Sequence, residues 1–120
     1  MSDAYGDQIT LPGLYVNGDI SSKQYHAVKM GSTANTVVAL SATTDVVVGV
    51  LQNAPDAANE AAIVAALGVS VVIAGTSTLT AGARIQFDST GRAIAASGQD
   101  LGAVLEAAGA VGDELRAVLD

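Results

Sequence analysis

Residues 46–88 read VVVGVLQNAPDAANEAAIVAALGVSVVIAGTSTLTAGARIQFD. The segment Val46–Leu51 is β by residue type, and Gly49 inside it marks a bulge or a close approach of another backbone. Asn53–Asn59, around Pro55-Asp56, ends that run. Ala61–Leu67 is rich in alanine, which favours helix, but at this length it is short for one. It leads through Gly68 into the β-branched run Val69–Ile73, so strand is the better reading. Thr76–Gly82 is a polar connection. Arg84–Asp88 alternates and pairs with Ala93–Ala96 across Ser89-Thr90-Gly91, a hairpin signal.

Upstream, Asn17-Gly18-Asp19 is a turn. Tyr25–Met30 reads as a strand with Tyr25, Ala27 and Lys29 on one face and His26, Val28 and Met30 on the other. Val37–Leu40 is a further short strand between loops at 31–35 and 41–45. Residues 1–14 read as an extended N-terminal arm. It is a candidate to order on a partner, for instance by adding a strand to an exposed edge. Tyr5, Ile9, Leu11, Leu14 and Tyr15 are its candidate contacts, because apolar and aromatic anchors are favoured at interfaces.

Downstream, Val104, Ala108, Val111, Leu115 and Val118 fall on a helical stripe. Gly102, Gly109 and Gly112 oppose a helix there, and Leu115, Ala117 and Leu119 alternate with Glu114, Arg116 and Val118 as in a half-buried strand. Periodicity alone leaves 101–119 open between strand and helix. A shift of 53 positions places Gly49 on Gly102, Ala54 on Ala107, Ala57 on Ala110, Glu60 on Asp113 and Val64 on Ala117. Two hairpin-like units with a common plan would explain the recurrence.

The chain has 120 residues, which suits one domain, with an arm at 1–14 and a β-rich body at 15–120. Half of the residues are hydrophobic, but these are mainly Ala and Val, with one Phe, three Tyr and no Trp. Such side chains bury little area each, at roughly 25 cal/mol per Å², so an oligomer or a docking surface on something larger is favoured over a free monomer. The net charge is -7, and the five basic residues are scattered. That argues against nucleic acid, which needs a clustered basic face, and against attachment to an anionic membrane. The absence of cysteine excludes disulfide and thiolate chemistry. The N-terminus lacks the pattern of a secretory signal, and no apolar run is long enough to span a membrane.

The search for chemistry returns no catalytic residue, no metal set and no cofactor site. The one histidine, His26, stands beside Lys23, Gln24 and Lys29, which form no base-and-orienter set. Zinc lacks ligands, the acids are dispersed and form no calcium loop, and no phosphate-binding or nucleophile-elbow motif is present.

Four pieces in order resemble the bacteriophage capsid decoration, or head cement, proteins: DISSKQYHAVK at Asp19–Lys29, VGVLQNAP at Val48–Pro55, the Ala81-Gly82-Ala83 turn leading through Phe87-Asp88 to Gly91-Arg92-Ala93, and LGAVLEAA at Leu101–Ala108 with its Gly112-Asp113 turn. They span about residues 19–119, and Ala83 departs from the acidic residue often found there. The resemblance implies an all-β, small single-domain β-sandwich or barrel with at most one short helix, and it favours strands for 101–119. It further implies a non-enzymatic virion protein on the outer surface of an assembled capsid, made in the host bacterial cytoplasm. Such a protein bridges neighbouring major capsid protein subunits, as a homo-oligomer and commonly a trimer. The alternative is a phage surface module for host-cell carbohydrate, with Tyr5, Tyr15, Tyr25 and Phe87 as its aromatics.

Overall fold

A computed structural model describes residues 8–120. Ten strands form: β1 (Gln8–Thr10), β2 (Tyr15–Val16), β3 (Ala27–Met30), β4 (Thr36–Ala39), β5 (Gly49–Leu51), β6 (Val64–Ile73), β7 (Arg84–Phe87), β8 (Ala93–Ala95), β9 (Gly102–Val104) and β10 (Glu114–Leu119). The helical content of the described residues is one 3-10 turn at Ser21–Lys23. The strands make one mixed sheet in the order β2-β4-β3-β5-β6-β10-β9-β7-β8, with β1 also on β6. The all-β expectation is met, and 101–119 contains two strands: the glycines defeat the helical stripe, and Leu115, Ala117 and Leu119 face inward.

Both ends of the sheet return to the line of β6. At one end Tyr15 bridges Ala61, Val16 N–H donates to Glu60 O at 2.9 Å, and Asn59 N–H donates to Val16 O at 2.8 Å. At the other, Ala74 bridges Ala93 and Gly75 N–H donates to Ala93 O at 2.7 Å. Two small rolls result, joined along β6. Closure of this kind removes sheet edges that would otherwise invite pairing with other chains.

The partition between the rolls explains the apolar runs. Ala27, Val50 and Ala65 lie in one hydrophobic cluster, while their neighbours Val28, Leu51 and Val64 lie in the other. Successive residues of a strand point to opposite faces, so β3, β5 and β6 have both faces buried here and carry apolar residues without alternation. Ala65 and Val72 both enter the larger cluster although an odd number of steps separates them. The β1 ladder shows how: Ile9 opposes Leu67 and Thr10 opposes Ala65, which leaves Ala66 unpaired. One inserted residue reverses the facing of all that follows.

The shift of 53 seen in the sequence is a structural repeat. Gly49 opens β5 against the carbonyl of Ala65, and Gly102 opens β9 against the carbonyl of Val118. Glu60 Oε1 accepts from the backbone N–H of Asp56 at 2.7 Å and of Ala57 at 3.1 Å; Asp113 Oδ2 accepts from Gly109 at 2.8 Å and Ala110 at 2.9 Å. The β3–β4 hairpin corresponds to β7–β8, with Val28 on Gly49 matched by Ile85 on Gly102. Even the smaller core is reproduced. Val16, Val28, Val37, Leu51, Ala62 and Val64 correspond to Ala74, Ile85, Ala93, Val104, Leu115 and Ala117, all in the larger cluster. Residues 14–67 and 72–120 are thus two versions of one unit, and β6 ends the first and begins the second.

Some boundaries differ from the sequence reading. Tyr25 and His26 precede β3, because Tyr25 takes a left-handed backbone with φ 65°. Its counterpart is Gly82, at φ 85°, where no side chain opposes that conformation. Val46–Val48 lie outside a regular strand, and Val46 is 80% exposed. Gly49 is a close approach, as the sequence suggested, at a strand start.

Because a methyl group at Gly49 or Gly102 would press on the opposing carbonyl, Gly49→Ala and Gly102→Ala are each expected to cost about 1–3 kcal/mol. Urea unfolding measures the loss. A similar loss at both positions tests the equivalence of the two units, whereas Gly98→Ala, where an added methyl would make only an ordinary contact with Gln86 Oε1, is expected to change little.

Candidate docking surface

No catalytic constellation is assembled among the described residues. His26 is half-buried, and its Nδ1–H donates to Gln24 O at 3.0 Å. Burial holds its pKa below the usual histidine value, with Lys23 and Arg92 acting in the same sense. No cluster of three or more His, Asp or Glu side chains suited to a metal ion occurs among the described residues. None of their helices is long and apolar enough to cross a membrane. What the surface offers is an apolar sheet face framed by ion pairs.

The face is made by β6, β10 and β9. Leu115, Ala117 and Leu119 point into the core, which turns Arg116 and Val118 outward. Val118 opposes Val69 on one side and Ala103 on the other, and Arg116 opposes Val71. Leu105, next after β9, donates its N–H to Arg116 O at 2.8 Å and is exposed. At the bulge Leu67 pairs with Ile9 of β1, and both are exposed, Ile9 to 58%. Val69, Val71, Val118, Leu67, Ile9 and Leu105 therefore form neighbouring apolar positions around the longest ladder in the sheet. Clustered exposed apolar residues, unlike single ones, mark an interaction surface.

The arm residues named from sequence divide. Tyr5 lies outside the described residues. Ile9 is on the apolar face. Leu11 and Leu14 are half-buried against the smaller core, and Leu11 N–H donates to Val64 O at 3.0 Å. Tyr15 lies in β2 and its hydroxyl donates to Ala34 O at 3.4 Å. Residues 8–10 add a strand to β6 of the same chain, and all three are exposed. Leu67, Leu105 and Val118 were not singled out from sequence. A hint existed in Val118, an apolar residue on the otherwise charged side of the Glu114/Arg116 alternation.

Three ion pairs made by Arg84 and Arg116 brace this half of the molecule. Arg84 Nε is 2.7 Å from Asp100 Oδ1, and its two other nitrogens grip Asp120 at 3.0 and 2.8 Å. This bidentate grip lowers the Asp120 pKa and raises that of Arg84. Arg116 Nε meets Glu106 Oε1 at 3.1 Å. The Arg116 backbone N–H, then its side chain, hold the Glu106 carboxyl below the usual range. Elsewhere, Asp45 Oδ2 accepts from Ser41 N–H at 2.8 Å, Lys29 Nζ at 3.0 Å and Ala42 N–H at 2.9 Å. Those bonds lower its pKa to about 2.

No protein-family model matches the chain, and no curated protein matches it in sequence. Its fold is similar to the crystal structure of the head fiber gp8.5 N base in bacteriophage phi29. The TM-score is 0.71 over 95% of this chain and 93% of that one, at 15% sequence identity. At that identity the likeness is one of architecture.

A carboxyl whose folded pKa lies below its unfolded one adds stability above the unfolded value and loses it as pH falls through the folded value. Asp45 should therefore contribute fully above about pH 4, and less and less as pH falls from there to about 2. Asp45→Asn is expected to lower the urea midpoint at neutral pH and to flatten its dependence on pH across that window. A set of urea titrations from neutral to acid pH measures both.

Proposed function

We propose that this chain is a non-enzymatic structural protein of a bacteriophage head, seated on the outer surface of the capsid. There it stabilises the shell by bridging neighbouring major capsid protein subunits. The observation that carries this reading is the likeness, over nearly the whole chain, to the base of a phage head fiber. It agrees in kind with the decoration-protein resemblance of the sequence segments. The surface chemistry supports it: an apolar sheet face, no clustered basic patch for nucleic acid, and no assembled catalytic group among the described residues. A homo-oligomer, with the trimer favoured, would multiply the contact area of a body whose cores are built mostly from Val and Ala.

The contacts proposed with the shell are Ile9 and Tyr5 from the arm, with Leu67 beside Ile9 on the sheet. Leu11, Leu14 and Tyr15 hold the base of the arm to the body. A shell offers many equivalent sites, so modest affinity at each suffices to staple it.

The test uses purified heads lacking the protein, to which the pure chain is added back. Saturable occupancy and a higher temperature of shell disruption are expected. The double variant Ile9→Asp/Leu67→Asp should lose occupancy by at least about tenfold, one decade being 1.4 kcal/mol, while its circular dichroism stays that of the parent. Truncation of residues 1–7, which leaves β1 in place, separates the contribution of Tyr5. Absence of saturable binding by the parent chain, or no gain in shell resistance when it is bound, would overturn the proposal.

A further inference from the structure

The repeat shows which surfaces of the two units correspond, and one corresponding pair is treated in opposite ways. On the outside of the first unit, Ala27 opposes Val50 and Val50 opposes Ala65. All three are at most 1% exposed, because the second unit covers them, with Phe87 and Leu119 in the same cluster. The matching row in the second unit is Arg84 opposite Ala103 and Ala103 opposite Val118. That row is open, with Val118 36% exposed. One surface of the repeated unit is an interface in the first copy and free in the second.

The side chains differ where this matters. At the three positions where the first unit carries Ala27, Val47 and Leu67, the second carries Arg84, Asp100 and Asp120. Ala27 and Val47 lie at the covered seam. Their counterparts Arg84 and Asp100, together with Asp120, form the ion network at 2.7, 2.8 and 3.0 Å. Covering that network would desolvate three charges at a cost that their attraction recovers only in part.

We propose that the outer face of the second unit is a latent docking site for another copy of this chain, and that Arg84, Asp100 and Asp120 keep it closed. The occupant is indicated by the molecule itself, since the equivalent face of the first unit is filled by a unit of the same kind. Such a contact is head-to-tail: it leaves the same face open on the added copy and would propagate as a filament. Charges placed where a sheet surface could otherwise stack are a known way to prevent this. The inference concerns self-association through one face and does not rest on the shell-binding reading.

The decisive variant gives the second unit the first unit's residues: Arg84→Ala/Asp100→Val/Asp120→Leu. Sedimentation velocity over a wide range of protein concentration is expected to show association beyond the parent's own state, growing with concentration. Adding Val118→Lys, in the centre of the face, should abolish the growth. A triple variant that keeps the parent's circular dichroism yet sediments as the parent does at every concentration would overturn the proposal. So would growth that Val118→Lys leaves untouched. The single variant Arg84→Ala provides a milder second route, in about 1 M salt where the freed carboxylates are screened. Increased association there supports the gate, and sedimentation identical to the parent's rejects it.

Discussion

The burial of both faces of β5, and of β3 at Ala27-Val28 and β6 at Val64-Ala65 beside it, is the constraint on which the rest of this molecule depends. A strand with one wet face can alternate apolar and polar residues, but the shared wall of two rolls cannot. Adjacent residues on that wall, such as Val50 and Leu51, belong to different cores. The wall must therefore be thin and apolar on both sides, with residues small enough for close strand approach. Gly49, whose missing side chain makes room for the carbonyl of Ala65, belongs to the same requirement. The skipped residue at Ala66 then lets a single long strand serve the wall with one half and the second roll with the other.

Two small cores in place of one larger core account for the composition. Each roll is a few strands around, and its interior has room for Val, Ala and Leu rather than for stacked aromatic rings. Phe87, the one phenylalanine, is placed where the two units meet. Closure of the sheet onto β6 at both ends satisfies most strand edges within the chain, and no buried side-chain nitrogen or oxygen of the described residues lacks a hydrogen-bond partner. A body so completed internally has little need of a ligand to hold it together. What it leaves over is surface: an apolar sheet face beside β1, and an ion network that differs between otherwise matching units.

The same architecture accords with the proposed structural role. Polar side chains that do cluster are occupied in shaping turns, as Asp45, Glu60 and Asp113 are with backbone N–H groups. Each is a carboxylate satisfied by local donors. His26 is in the same class, its ring tied to the carbonyl of Gln24. In the proposed role, quasi-equivalent halves and a face of modest hydrophobicity would serve repeated attachment to a large ordered partner.

Read alone, the residues from Val46 to Asp88 were enough to establish a β domain, because β-branched runs broken by Gly, Pro and Asn have few other ways to fold. The hairpin at Arg84–Ala96 was also legible there, and the shift of 53 was visible in Gly49, Glu60 and their partners. Other features came only with the tertiary structure. Helix and strand periodicities coincide over 101–119, and pairing with β6 decided between them. The sharing of β6 by two rolls could not be read from any local pattern, since Val64 and Ala65 look alike in sequence and differ only in which core they enter. The exposed face was hidden for a related reason. Leu67 is an apolar residue in an apolar strand, and only the position of the second unit determined that it meets water while Val50 and Ala65 do not.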